Sequence, residues 1–385
     1  MKQTTLSKKD YFSMSKIIPV VEIKTVTWDR ESHNLFDYAN SYYDLKKFVL
    51  GSSANLIRRK NEVNIVETDE EITADEKLLL SITKQEKSHD YFLNLHKGQL
   101  MGKEDLKTFL VIRSMKEKDG KTQKGFELKA GSMFKLGRMN YRVSCIKTDF
   151  STKAPQKLKW YDCPDNESIY DYDMLSNIEP KSARDVCKYC FSEEITDNPI
   201  DNLILKPCDC SGSAGMVHFK CLKEWIKCKV VEEKIDAVTY FQWDRLQCEI
   251  CLCPFPSKIK YNNELHDFVT LEHPTVPHIV LENIGDDQRK STFILIKTPE
   301  AIEIKMGRAR CCEVLLKDIS ISRIHSILKY NGNSFKIYDN DSKFGTLVEV
   351  NRNIRISSAK AAVQVGRTVF TFVMKKMPIG YFGDE

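Results

Sequence analysis

The feature that most constrains this chain of 385 residues is a run of eight soft metal donors between Cys187 and Cys251. Written out, it is Cys187-x2-Cys190-x17-Cys208-x-Cys210-x7-His218-x2-Cys221-x26-Cys248-x2-Cys251. Each Cys-x2-Cys pair sets two sulfurs on one tight knuckle, suited to two corners of a tetrahedron, and eight donors fill two such sites with none left over. Closed sites leave no position for a reactive water, so two structural zinc ions are expected, standing in for a hydrophobic core that so short a segment cannot build. The chain has 13 cysteines, an odd number that rules out complete internal disulfide pairing, and the close pairs point to metal in a reducing compartment. Cys145, Cys163, Cys228, Cys253, Cys311 and Cys312 are read as buried or inert free thiols.

Charge narrows the partners. Lys plus Arg number 59 and Asp plus Glu 54, a net of +5 with no long basic run, which is a poor footprint for a phosphate backbone, so nucleic acid is not expected. No apolar stretch reaches the roughly 18 residues that span a bilayer, and a soluble, intracellular and most simply cytoplasmic protein is expected. Pattern divides the chain into four zones and predicts a mainly β, multidomain protein. Residues 1–150 carry short apolar runs such as Ile17-Ile18-Pro19-Val20-Val21 and Phe48-Val49-Leu50, interrupted by an acidic segment from Glu67 to Glu76 that reads as a solvated loop or a helix start. Residues 151–182 are polar and aromatic, broken by Pro155, Pro164 and Pro180, and read as a linker. The cysteine-rich zone takes 183–258. Residues 276–377 alternate β-branched and aromatic positions with turn signals such as Asn331-Gly332-Asn333, an all-β pattern.

Within the cysteine-rich zone, Pro207-Cys208-Asp209-Cys210-Ser211-Gly212-Ser213, Val217-His218-Phe219-Lys220-Cys221-Leu222-Lys223-Glu224-Trp225, and Cys248-Glu249-Ile250-Cys251 with Pro254-Phe255 resemble the RING-CH variant of the RING finger found in ubiquitin ligases. PHD fingers share the ligand set, but they usually have a longer gap than Asp209 between the third and fourth ligands and an aromatic at the position of Leu246. The resemblance implies a cross-brace, with Cys187, Cys190, His218 and Cys221 on one zinc and Cys208, Cys210, Cys248 and Cys251 on the other. It also implies a chemistry without a nucleophile of the protein's own, in which the finger holds a ubiquitin-charged conjugating enzyme for attack by a substrate lysine. The enzyme-docking positions would be Tyr189, Trp225 and Pro254. Trp225 has a second reading, as a cap on the zinc core. Tyr189 replaces a residue that is more often aliphatic, and Leu252 stands where active RING fingers often carry a basic residue.

In the last zone, Gly307-Arg308, Ser322-Arg323-Ile324-His325 and Asp339-Asn340-Asp341-Ser342-Lys343-Phe344-Gly345-Thr346 resemble the forkhead-associated (FHA) domain, a β-sandwich whose loops bind phosphothreonine. A phosphate calls for charge-assisted donors on rigid strand ends. The resemblance assigns Arg308 and Ser322 to phosphate, with Arg323 and Lys343 as supporting donors and Gly307 and His325 shaping the loops. Phe344 occupies the place of the family's peptide-gripping Asn.

Two decapeptides, Phe134–Val143 and Val363–Phe372, match without gaps through Gly137-Arg138 and Gly366-Arg367, as in the closing hairpin of an FHA sandwich. If Phe48-Val49-Leu50-Gly51 likewise matches Ile304-Lys305-Met306-Gly307, Ser52 takes the place of Arg308. The N-terminal zone is then either a degenerate FHA-like repeat or an unrelated β-rich module. Two functions compete. One is a RING-CH ubiquitin ligase whose FHA domain binds phosphothreonine-containing partners. The other is a silent structural or adaptor subunit that uses both modules to dock into a larger multiprotein assembly.

Overall fold

The computed structural model describes residues 17–28, 35–39, 43–60, 62–73, 75–94, 107–115, 125–150, 169–175, 186–244, 246–268, 274–284, 290–350, 352–358 and 360–378. Strands dominate, and the protein is mainly β. A sheet of twelve strands runs in the order Val231–Ile235, Val238–Asp244, Lys290–Lys297, His278–Asn283, Met139–Lys147, Met133–Leu136, Thr346–Glu349, Thr108–Val111, Ala361–Val365, Thr368–Pro378, Ile17–Trp28, Tyr43–Leu50. Two five-stranded sheets pack on it. One is ordered Val314–Leu315, Ile302–Gly307, Ser326–Tyr330, Phe335–Asp339, Phe126–Leu128. The other is ordered Ile354–Ile356, Tyr91–Asn94, Glu76–Lys84, Ala54–Arg59, Glu62–Val66.

The result is two sandwiches that have exchanged their closing strands. Ile17–Trp28 to Tyr91–Asn94 build the first, yet Ile354–Ile356 completes its small sheet and the hairpin Ala361–Val365 with Thr368–Pro378 completes its large one. Reciprocally, His278–Asn283 to Phe335–Asp339 build the second, which is completed by Phe126–Leu128 and the hairpin Met133–Leu136 with Met139–Lys147. The cores confirm the exchange. Phe134, Leu136, Tyr141 and Val143 are buried with Ile304, Met306, Leu328 and Ile337, while Val363, Val365, Phe370 and Phe372 are buried with Val21, Leu56, Leu80 and Ile82. At the midpoint Thr346–Glu349 pairs antiparallel with Thr108–Val111, for instance Leu347 opposite Val111. The folded units therefore differ from the divisions 1–150 and 276–377, because alternation specifies which face a strand buries but not which partner completes the sheet.

The matched decapeptides occupy equivalent places, each turning at a glycine with φ near +57° (Gly137 57°, Gly366 56°). The second proposed match does not hold. Phe48 and Val49 pair with Ile23 and Glu22 in the large sheet, whereas Ile302–Gly307 pairs with Ser326–Tyr330 in a small one. The counterpart of Ile302–Gly307 is Ala54–Arg59, so Ser52 does not stand for Arg308. Arg59 at the end of that strand is held by Glu70 at 2.9 Å and by Glu76, which gives part of the acidic segment a structural task.

Of the linker, 151–168 and 176–182, with all three prolines, lie outside the described residues. Ile169–Asp171 runs parallel to Lys258–Tyr261, and Tyr172 enters the core of the zinc finger. That core is small: Leu203, Leu205, Val217, Phe219, Leu222, Ile226, Phe255 and Ile259 surround the buried Cys187 and Cys248. The helix Phe219–Lys229 buries Phe219, Leu222 and Ile226, one stripe at helical spacing, and ends on Lys227 and Lys229, which suit its negative pole. From Val230 the chain passes straight into the hairpin of Val231–Ile235 and Val238–Asp244, whose second strand pairs with Lys290–Lys297 along the second sandwich.

The exchange makes a direct prediction. A fragment of residues 276–377 lacks the strands between Phe126 and Lys147, and it is expected to show no cooperative thermal transition by circular dichroism. A sharp transition in that fragment would mean that it closes on its own hairpin.

Candidate functional site: two metal clusters and a basic loop end

The fold gathers the eight donors into two groups of four, Cys187, Cys190, His218, Cys221 and Cys208, Cys210, Cys248, Cys251, with the ligand atoms of each group within 4.8 Å of one another. A tetrahedral site with Zn–S bonds of about 2.3 Å has edges of about 3.8 Å. Cys210 and Cys248 Sγ lie 3.7 Å apart, and His218 Nδ1 lies 3.2 Å from Cys190 Sγ and 3.8 Å from Cys221 Sγ. The donor sets fit zinc. His218 Nε2 donates to the Glu193 carbonyl at 2.9 Å, which leaves Nδ1 as the metal-facing nitrogen. Burial alone would raise the Cys248 thiol, yet the N–H groups of Cys251 and Ile250 hold it down to about 6. Against the same burial, the N–H groups of Cys190, His218 and Tyr189 hold Cys187 down to about 7.

Cys228 is exposed and Cys253 half-buried, and neither belongs to a cluster. Phe191 and Leu252, each just after the second cysteine of a knuckle, have φ of 57° and 60°, a left-handed conformation that favours glycine. Both side chains are held out, 80% and 62% exposed.

Of the three expected docking positions, Tyr189 and Trp225 come together. Tyr189 and Trp225 stack with centroids 6.4 Å apart and planes 16° apart, and Trp225 meets the edge of Phe255 at 5.5 Å. Trp225 therefore does cap the finger's core, while remaining half-exposed beside the exposed Pro254, Ile250 and Leu252. Lys229 Nζ sits 4.9 Å above the Trp225 ring and pairs with Glu249 at 2.8 Å, giving the apolar patch a charged rim.

In the second sandwich, Gly307 ends a central strand where a Cβ would overlap the Arg323 carbonyl oxygen. Arg308 N–H donates to Ser322 O at 3.2 Å and Ala309 N–H to Arg323 O at 3.0 Å, which ties the two loops together. Arg308 and Arg323 are exposed, and among the described residues no carboxylate pairs with either. Ser322 Oγ is half-buried and accepts the Lys343 N–H at 3.0 Å. His325 is a buried, satisfied histidine: Nδ1 accepts the Ser322 N–H at 3.1 Å and Nε2 donates to Gly345 O at 3.1 Å, while burial lowers its pKa. Buried Asp339 accepts from Thr346 N and Oγ1 at 2.9 and 2.8 Å and from Ser342 N at 3.1 Å, fixing the last loop. Lys343 differs from the expectation of a free donor, because its Nζ pairs with Asp37 at 3.2 Å. That contact comes from the first sandwich, together with Tyr38 N–H to Lys343 O at 2.9 Å and Arg113 to Ser342 O. Asp37, Tyr38 and Arg113 carry no motif, and they meet this loop at the seam where Thr108–Val111 pairs with Thr346–Glu349 and Phe36 packs with Val111 and Leu347.

Comparison with known proteins agrees with the two geometries. The RING-variant domain matches residues 187–251, and the FHA domain matches residues 304–369. The FHA match crosses the exchange, since Ile354–Ile356 and the hairpin after it belong to the other sandwich. The chain is 28% identical over 123 residues to mouse (Mus musculus) E3 ubiquitin-protein ligase MARCHF7, covering 32% of this chain and 15% of that protein. It is 32% identical over 84 residues to human (Homo sapiens) E3 ubiquitin-protein ligase MARCHF8, 19% of this chain and 26% of the relative. Human probable E3 ubiquitin-protein ligase MARCHF10 is 41% identical over 88 residues, 23% of this chain and 9% of the relative. The chain thus spans about a quarter or less of the length of these relatives. No solved structure matches. Among the described residues, no helix is long and apolar enough to cross a membrane.

The purified protein is expected to carry two zinc ions per chain by mass spectrometry of the metal, and Cys208→Ser to carry one. Two ions retained by Cys208→Ser would contradict the ligand assignment.

Proposed function

We propose that this protein is a RING-variant ubiquitin ligase that positions a ubiquitin-charged conjugating enzyme on Tyr189, Trp225 and Pro254 and binds phosphothreonine-containing partners at Arg308 and Ser322, with Arg323 in support. The observation that carries the reading is the open apolar patch on the finger. A stacked Tyr189–Trp225 pair on a finger that also exposes Pro254, Ile250 and Leu252 is surface of the kind a protein partner buries. The relatives that share the finger are named as ubiquitin ligases. With both clusters closed, the metals hold the docking surface rigid, and transfer proceeds by orientation of the charged enzyme's thioester toward a lysine. For the phosphate, an exposed, unpaired Arg308 on a loop tied to Ser322 supplies a charged donor beside a hydroxyl. Free thiols together with zinc-ligating cysteines suit a reducing compartment such as the cytoplasm.

An adaptor without transfer chemistry is the second reading. It is favoured by Leu252 in place of a basic residue, by Phe344 in place of the peptide-gripping Asn, and by the Asp37 carboxylate already on Lys343.

The test is ubiquitin discharge from a panel of charged conjugating enzymes onto free lysine. The ligase reading expects acceleration by the wild type, a loss of about tenfold or more in Trp225→Ala, and a gain in Leu252→Arg. Absence of acceleration with every enzyme, from folded and zinc-loaded protein, would leave the adaptor. Separately, Arg308→Ala is expected to weaken binding of phosphothreonine peptides by about tenfold or more, measured by calorimetry against the unphosphorylated peptide. Equal binding by Arg308→Ala would remove the phosphate assignment.

A further inference from the structure

The finger is not hung on the second sandwich by a linker; it is built into its sheet. The 26-residue gap between Cys221 and Cys248 holds the remainder of the docking helix and then the hairpin Val231–Asp244. That hairpin pairs in unbroken register with the sandwich, from Val238 opposite Ile296 to Asp244 opposite Lys290. Both roots of the hairpin are pinned. Val230, directly after the helix, and Leu246, shortly before Cys248, pack on Phe241, Trp243, Phe293 and Leu295, where Trp243 and Phe293 stack 5.3 Å apart with planes 5° apart. Leu246 also belongs to the finger's own core, and its carbonyl accepts the Phe255 N–H at 2.9 Å, next to Pro254 of the docking patch. Toward the other site, Tyr240 of the hairpin accepts the Leu315 N–H on its hydroxyl at 2.8 Å, and Leu315 pairs with Gly307, the residue before Arg308. Through the described residues, a series of backbone pairing and packed aromatics therefore runs from Trp225 to Arg308.

We propose that the hairpin Val231–Asp244 is a ruler that fixes the span between the bound phosphothreonine and the thioester, and so selects which lysine of the partner is modified. The proposal rests on the ligase reading. The occupant it implies is a protein carrying a phosphothreonine and a lysine at one preferred separation. Lysines nearer or farther would be reached poorly, because neither site can swing toward the other. In this scheme Tyr240 is a positioning residue that touches neither substrate nor ubiquitin.

The test uses the full chain with a conjugating enzyme active in lysine discharge, and phosphothreonine peptides that each carry one lysine at graded distances. The wild type is expected to give a yield that peaks at one separation, by about fivefold or more over its neighbours. Flexible Gly-Ser insertions of about six residues after Lys229 and after Asp244 are expected to flatten the peak. Discharge onto free lysine and phosphopeptide affinity should stay as in the wild type. Tyr240→Phe, which keeps the ring and removes the acceptor, is expected to broaden the peak without changing zinc content. A flat wild-type profile with phosphothreonine dependence intact would overturn the ruler and leave the ligase standing, as would an unchanged peak in the insertion variant. No discharge onto free lysine would remove the ligase reading and the ruler with it.

Discussion

The antiparallel contact between Thr108–Val111 and Thr346–Glu349 joins what would be two separate sheets into one of twelve strands, and the exchange of closing hairpins follows from it. At this seam the chain leaves each sandwich before that sandwich is complete. Neither core closes without the other half: Phe134 and Tyr141 stack at 5.4 Å inside a core drawn mostly from residues after 237, and Phe370 and Phe372 stack at 6.2 Å inside one drawn mostly from residues before 94. Each aromatic buried in this way contributes about 1.5–3 kcal/mol. The two sandwiches are thus expected to stand or fall together. The seam also sets Asp37, Tyr38 and Arg113 against the loop of Lys343, so residues from the N-terminal half shape that end of the second sandwich.

The finger obeys a different constraint. Its core is too small to hold itself, and metal ligation takes over the work that burial does in the sandwiches. Knuckles at Phe191 and Leu252 keep left-handed backbone on large apolar residues, at a cost of about 1 kcal/mol each, and both residues are turned outward. The hairpin after the helix then lends the finger the rigidity of the larger sheet. The proposed docking surface on Trp225 and the proposed phosphate donor Arg308 end up on one framework.

Much of this was legible in the sequence wherever the information is local. Cysteine and histidine spacing identified the eight donors, because each knuckle depends on short-range geometry, while their cross-braced grouping came from the resemblance to RING-CH fingers; Gly307-Arg308 with Ser322 and His325 marked loops that the fold then ties to one another. The repeat of Phe134–Val143 in Val363–Phe372 was visible too, as two closing hairpins. Which sandwich each hairpin closes was not visible, since both present the same alternation. For the same reason Phe48–Gly51 passed for the counterpart of Ile304–Gly307: a four-residue apolar run does not say whether it lies in the large sheet or the small one. The pairing of Lys343 with Asp37 and the bond from Leu315 to Tyr240 join residues far apart in sequence, and no motif announces either.

Native-state hydrogen exchange read by mass spectrometry tests the exchanged architecture most directly. The amides of Met139–Lys147 and of Ile302–Gly307, and those of Thr368–Pro378 and Ile17–Trp28, are predicted to open together, with one free energy and one denaturant dependence shared across both sandwiches. Opening of the strands between Phe126 and Lys147 in a separate, less stable unit, while Ile302–Asp339 stays protected, would contradict the account.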